Sequence, residues 1–144
     1  MNAMLRNALR QYSSVGVRSG VEDASPHRLI QMLLEGALAR IAAAIGHLDR
    51  GDVAEKGRSI GLAISIIGGL QSSLDTGRGG DVAGNLDRLY EYMARRLLEA
   101  NAKSDRGALE EVHRLLSEVK GAWDSIGPRV GSGAPVTFPS PARV

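Results

Sequence analysis

The chain has 144 residues, of which 43% are hydrophobic, 24% are charged and only 3% are aromatic. This length fits one domain with one core, and the aliphatic composition suits packed helices better than a β-sandwich or barrel. The absence of cysteine excludes a disulfide framework and a thiolate metal site, and it is compatible with a reducing, cytoplasmic location. Because the 18 basic and 16 acidic residues are interspersed, we expect no nucleic-acid partner. No run of about 18 uncharged apolar residues occurs, so we also expect no membrane insertion.

Four segments carry apolar residues at alternating spacings of three and four, the pattern of a helix with one buried face. Ser25 followed by Pro26 predicts the start of the first helix, because serine caps a helix and proline suits its first position. Gly51 is typical of the residue just after a helix. Asp52 begins the second helix, and the glycine-rich loop 76–80 is predicted to end it.

The third and fourth helices are predicted within 82–100 and 109–126. Connections of about two to eight residues favour antiparallel neighbours, so we predict an all-α, antiparallel up-down four-helix bundle over residues 25–126. Residues 1–24 are interpreted as a flexible segment that can cap a groove. The Gly-, Ser- and Pro-rich residues 127–144 are interpreted as a disordered tail.

No residue pattern predicts an enzyme. Glu110 and His113 have the spacing of a di-iron ligand pair, but the helical pattern places Glu110 opposite the core and His113 at its edge. The glycine-rich loop lacks the strand and the Gly-Lys-Ser or Gly-Lys-Thr ending of a phosphate-binding loop. We therefore expect no catalytic residues, no cofactor and no metal site.

The second helix is more apolar than one core requires. At about 100° per residue its apolar side chains cover an arc of about 200°, whereas a bundle helix needs little more than 100°. The glycines Gly57, Gly61 and Gly68 extend this arc, although each costs about 0.5 to 1 kcal/mol relative to alanine. Either the arc forms a groove for a partner helix, or an N-terminal segment or a second copy buries it; the pattern leaves both possible.

The N-terminal segment offers one cover for such a groove. Leu5, Leu9 and Tyr12 follow each other at spacings of four and three, so they can share one face of a short helix. Such a lid would lower the affinity of a partner that must displace it, while shielding apolar surface.

Several stretches resemble one family. Residues 25–38 (SPHRLIQMLLEGAL) and residues 74–76, 79–83 and 85–93 (LDT, GGDVA and NLDRLYEYM) are similar to the first helix, the loop and the third helix of the FliS flagellar chaperones. Trp123 lies where the fourth helix of that family carries its tryptophan. The resemblance covers about residues 12 to 126 in order, with helix lengths preserved.

The resemblance implies a cytoplasmic chaperone that binds the disordered C-terminal helical segment of flagellin, prevents premature polymerisation and delivers flagellin to the flagellar type III export gate. On this interpretation the chain is a monomer or a weak homodimer. The alternative is a homo-oligomeric helical-bundle adaptor that buries the surplus arc in its own interface and has no flagellin partner.

The wide arc of the second helix suggests which residues meet the partner. We predict that the partner contacts Ile60, Leu62, Ile64 and Ile66, and that Tyr12 is the lid residue that moves. Ile66→Asp is then expected to weaken flagellin binding without loss of helical content.

Overall fold

The structure, a computed structural model, describes Met4 and residues 24–127, and these ranges contain four helices and no strand. The helices are α1 (Pro26–Asp49), α2 (Val53–Ser72), α3 (Thr76–Lys103) and α4 (Arg106–Ile126). The predicted all-α fold is thereby confirmed. The predictions for the N-terminal segment, including Tyr12, and for the C-terminal tail concern residues outside the described ranges, apart from Met4, Ala24 and Gly127.

Each helix begins at a side chain that caps it. The residues before the four helices each accept a hydrogen bond from the backbone N–H three positions later, which satisfies one of the free amides at a helix start. These caps are Ser25 (3.1 Å), Asp52 (3.2 Å), Asp75 (3.0 Å) and Asp105 (3.1 Å). Ser25 and Asp52 therefore cap the first and second helices as predicted.

The start of α3 differs from the prediction. Residues 76–80 were expected to form a loop, but Asp75 caps a helical turn that begins at Thr76. The turn is separated from the rest of α3 by Gly80, whose φ of 55° and ψ of −132° are not helical. Only glycine adopts this conformation readily. Gly80 thus produces the bend between the two helical parts.

The helices pack as a ring, in which α1 and α3 each contact both α2 and α4. The start of α1 lies beside the end of α4, because the indole N–H of Trp123 donates to the carbonyl of His27 at 3.0 Å and the two rings stack. At the other end of the molecule, Arg106 at the start of α4 binds Asp49 at the end of α1. These are contacts expected of neighbouring helices that run in opposite directions.

The core is aliphatic. It is formed by the inward faces of all four helices, with Leu34, Ile67, Leu97 and Leu116 among its fully buried members. In the part of the chain that the structure describes, α1 is the one helix that is long and apolar enough to cross a membrane. The buried side chains of α1 line the core, and core helices of globular proteins commonly meet the same criterion.

Candidate functional site

The apolar arc of α2 divides into a core-facing side and an outer side. Lys56, Ile60, Ile67 and Leu70 are buried and form the middle of the inward face. Going around the helix, the outer side carries Ala54, Arg58, Gly61 and Ser65, of which only Ser65 is half-buried and the others are exposed. Most of the wide apolar arc therefore faces the core, and the apolar residues that the core does not need lie at its two edges.

The structure separates the four predicted contact residues of α2 into two pairs. Residues two positions apart point about 200° apart around a helix, so only Ile60 with Ile64 and Leu62 with Ile66 share a side. Ile60 and Ile66 are core residues with 1% and 2% exposure, respectively. Ile64 is half-buried and packs against the core, and Leu62 is half-buried outside the core cluster.

The edge that carries Ile64 faces α3. On this edge an added Cβ at Gly57 would lie 3.6 Å from the side chain of Asn101, and the Gln71 amide donates to the Asp87 carboxylate of α3. Leu62 lies about 160° from Ile64 around α2, at the other edge of the apolar arc. The accessible apolar surface of α2 is therefore two separate strips, and Ile64 belongs to the α3 strip.

Glycines keep the outer side of α2 open. Among the residues that the structure describes, a Cβ added at Gly61 would meet no atom within 4 Å. A Cβ added at Gly68, about two turns further along, would lie 3.1 Å from the terminal methyl of Met4 and no nearer to anything else. Met4 shows that an apolar side chain can rest directly on this strip, while no described residue covers the position of Gly61.

The opposite wall of the groove comes from α3. Glu91 and Asn101 both face α2, and Ala94 and Leu98 lie between them on the same side of the helix. Leu98 is 58% exposed and is one of four exposed large apolar residues in the described part of the chain, with Met4, Val53 and Val82. We define the α2/α3 groove by Gly57, Gly61, Ile64 and Gly68 of α2, and Ala94 and Leu98 of α3.

Polar groups close both ends of the α2/α3 groove. At one end Lys56, which is 3% exposed, donates to the backbone carbonyl of Asn101 at 3.1 Å and to the Ser104 hydroxyl at 2.7 Å. At the other end the Gln71 amide donates to Asp87 at 3.0 Å and to Glu91 at 3.2 Å. The groove is thus an apolar, open strip with fixed polar ends.

The histidines do not form a reactive cluster in the described part of the chain. His27 is buried against Trp123, whereas Glu110 is exposed and His113 half-buried on α4. Among residues 24–127 and Met4, no group of three or more His, Asp or Glu side chains is placed to hold a metal ion. The described residues therefore place no metal-binding group beside the α2/α3 groove.

Comparison with known proteins identifies the family. The model of the family described as flagellar protein FliS matches residues 8–130, which is most of the chain. The chain belongs to the FliS family. It is 56% identical over 119 residues to the flagellar secretion chaperone FliSB of Pseudomonas aeruginosa, covering 83% of this chain and 94% of that protein.

More distant FliS relatives also align along most of the chain. The flagellar secretion chaperone FliS of Salmonella typhimurium is 46% identical over 124 residues, covering 85% of this chain and 92% of that protein. The FliS of Bacillus subtilis, with the same description, is 32% identical over 106 residues, covering 74% and 78% of the two chains. Each of these relatives is named as a secretion chaperone and none as an enzyme.

Two features of the groove were not predicted from the sequence. Leu98 was included in the third helix but not considered as a contact residue, although it falls off the stripe of core residues through Met93, Leu97 and Ala100. An apolar residue off that stripe was the signal that could have identified it. Lys56 gave no signal, because an isolated lysine on a helix usually projects into water.

Proposed function

We propose that the chain is a cytosolic export chaperone that holds the C-terminal helical segment of flagellin in the α2/α3 groove. It would thereby prevent premature polymerisation and support delivery of flagellin to the flagellar type III export gate. The observation that carries this proposal is the pairing of the open strip at Gly61 with the exposed Leu98 of α3. Membership of a family whose relatives are named flagellar secretion chaperones supports it.

Helix-in-groove recognition explains how this surface would work. An amphipathic helix places its apolar residues every three or four positions into such a groove, and glycines on one wall allow close approach. Covering Leu98, which is 58% exposed, contributes about 1 kcal/mol or somewhat more, since burying a whole leucine side chain is worth about 1.5 to 3 kcal/mol. If the flagellin segment is disordered when free, part of the gain goes into ordering it, so many apolar contacts must act together.

The N-terminal segment would regulate access to the groove. Met4 already rests against Gly68, at the end of the groove nearer Gln71. We propose that residues 1–24 compete with the partner and that Tyr12 moves when the partner binds. Deleting residues 1–24 is then expected to raise the affinity for flagellin, because the competing state is removed. An affinity that stays the same or falls would rule out this competition.

The direct test is titration calorimetry with a peptide covering the C-terminal helical segment of the flagellin from the same organism. We expect one-to-one binding in the micromolar range or tighter, with a negative heat-capacity change from apolar burial. Leu98→Asp should weaken binding by roughly tenfold or more, since it loses the apolar contact and places a charge in the interface. Ala39→Asp on α1 is the matched control: it adds the same charge to an exposed helical position, and α1 does not contact α3.

Two results would contradict the proposal. Equal affinities of the Leu98→Asp and Ala39→Asp variants would show that the partner does not use this groove. Absence of binding, together with a stable dimer in sedimentation, would favour the alternative of a homo-oligomeric adaptor that covers Leu98 with a second copy. Ile66→Asp is not a suitable variant, because Ile66 lies in the core and an aspartate there would destabilise the bundle.

A further inference from the structure

One polar side chain lies against the apolar α2/α3 groove at its Gly57 end. Asn101 is exposed on α3, and its side-chain oxygen and nitrogen would lie 3.6 Å and 3.9 Å from a Cβ added at Gly57 of α2. Within residues 24–127 and Met4, the hydrogen bond of Asn101 uses its backbone carbonyl, and its side-chain amide takes part in none. The amide therefore offers an acceptor and two donors to a molecule that enters the groove.

The backbone of Asn101 is anchored by a buried lysine. Lys56, on the core-facing side of α2, donates to the Asn101 carbonyl at 3.1 Å. The same ammonium donates to the hydroxyl of Ser104 at 2.7 Å, and Ser104 ends α3 in a left-handed conformation with φ of 49°. Because the last turn of a helix usually frays, these two contacts fix Asn101 relative to α2.

A helix that covers Leu98 must also cover Asn101. The two residues are three positions apart on α3 and share the side that faces α2. In the free chain water can bond the exposed amide, but a bound helix displaces that water. An amide that is buried without a hydrogen-bond partner lowers affinity, so the bound segment must supply polar atoms at this position.

The position of Asn101 indicates that these polar atoms belong to the main chain. Since α2 begins at Val53 and α3 ends at Lys103, the two walls of the groove end close to Gly57 and Asn101. Inside a helix the backbone N–H and C=O groups bond each other, whereas those of the terminal turns are free. A bound helix that ends where the walls end would place free backbone groups beside the Asn101 amide.

We propose that Asn101 caps the end of the bound helix by hydrogen-bonding its free main-chain groups, and that Lys56 is the positioning residue that holds Asn101 for this contact. This inference rests on the proposed function, because it names a specificity-determining contact in the same groove. Apolar contacts alone would let a helix slide along the strip, whereas one fixed polar group sets its register.

Asn101→Leu tests the contact, because leucine is similar in size and adds apolar surface to the groove. We expect affinity for the flagellin peptide to fall about fivefold or more in calorimetry, since the bound helix loses the partner of its buried main-chain groups. Asn85→Leu is the matched control: Asn85 is also exposed on α3 but points about 160° away from Asn101, so affinity should not change.

Unchanged or higher affinity of Asn101→Leu, or equal losses in the two leucine variants, would overturn the inference. The parent chain separates this failure from that of the proposed function. Binding by the parent together with such a result removes only the inference, whereas no binding by the parent removes the proposed function as well.

Peptide variants distinguish main-chain from side-chain contacts. Each polar side chain of the flagellin peptide is replaced in turn by alanine, and each variant is titrated into the parent and Asn101→Leu chains. The difference in affinity between the two chains should persist for every peptide, because alanine keeps the main chain. If the difference disappears for one peptide, the replaced side chain and not the main chain bonds Asn101, and the inference is wrong.

Lys56→Met tests the positioning role. Methionine keeps an unbranched apolar side chain but cannot donate to the carbonyl of Asn101, and urea unfolding checks that the variant is folded. We expect Lys56→Met to lower affinity in the parent chain and to cause little further loss in Asn101→Leu, because both changes act on one contact. Additive losses, or unchanged affinity of Lys56→Met alone, would overturn the positioning role, since a purely structural lysine has no reason to couple to the Asn101 side chain.

Discussion

Gly61 offers a substitution that should separate stability from binding. Gly61→Ala replaces a glycine inside α2, where the new Cβ would meet no atom of residues 24–127 or Met4 within 4 Å. Alanine is better than glycine in a helix interior by about 0.5 to 1 kcal/mol, and no clash offsets this gain. For a bundle of this size the gain corresponds to a rise in Tm of roughly 2 to 5 °C.

Gly61→Leu extends the test to the groove. Leucine is also a good helix former, so the free chain should be at least as stable as the parent. Its side chain would fill the space that a partner helix needs for close approach to α2. We expect flagellin affinity to fall by about 10- to 100-fold, because an overpacked contact typically costs 1 to 3 kcal/mol.

The assay is thermal unfolding followed by circular dichroism, with calorimetric titration of the same samples. Gly121 on α4 is a matched control, since it too is exposed and a Cβ there would meet no described atom within 4 Å. Gly121→Leu should leave binding unchanged. Unchanged binding by Gly61→Leu would refute the groove, and a Tm below the parent value for Gly61→Ala would refute the claim that this side of α2 is open.

Three further predictions concern the bundle itself. Gly80→Ala should destabilise it by about 1 to 3 kcal/mol in urea unfolding, because φ is 55° and ψ is −132°; an unchanged urea midpoint would contradict this bend. Trp123→Phe should lower the free energy of unfolding in urea by about 0.5 to 1.5 kcal/mol, because phenylalanine keeps an aromatic ring beside His27 but lacks the N–H donor. An unchanged free energy of unfolding would show that this hydrogen bond adds nothing to stability. The hydrogen bond from Arg106 lowers the pKa of Asp49, so the pair stabilises the fold at pH values above the ordinary carboxyl pKa of about 3.9. This contribution is lost as the pH falls through the lower pKa of the folded state. Between about pH 5 and pH 2 the stability of Asp49→Asn should therefore fall less than that of the parent, and equal losses would contradict the assignment.

Local chemistry explains which parts of the fold were predictable. Ser25 and Asp52 cap their helices through atoms three residues away, and such contacts depend on short sequence patterns. Asp75 uses the same contact, but the glycines after it outweighed that signal and favoured a loop. Periodicity located the helices because the core needs only one apolar face from each.

The candidate site was less predictable because it depends on which neighbour lies beside each edge of α2. The apolar arc was visible in the sequence, but assigning Ile60 and Ile66 to the core and Ile64 to the α3 edge requires the positions of α1 and α3. A helical pattern gives the angle between two side chains and not the direction of the core. The same limit applies to Lys56, whose burial depends on the end of a helix 45 residues further along the chain.

Glycine on an exposed helix face does not by itself indicate a binding surface, as Gly121 shows. One turn to either side of it lie the exposed polar residues Ser117 and Ser125, so its open space borders only a solvated face. Gly61 differs because Ile64 lies nearby on α2 and Leu98 stands on the facing helix. Gly61 therefore lowers helix stability at a point where both walls of the α2/α3 groove have accessible apolar surface. A partner helix bound there would bury that surface and offset the lost stability.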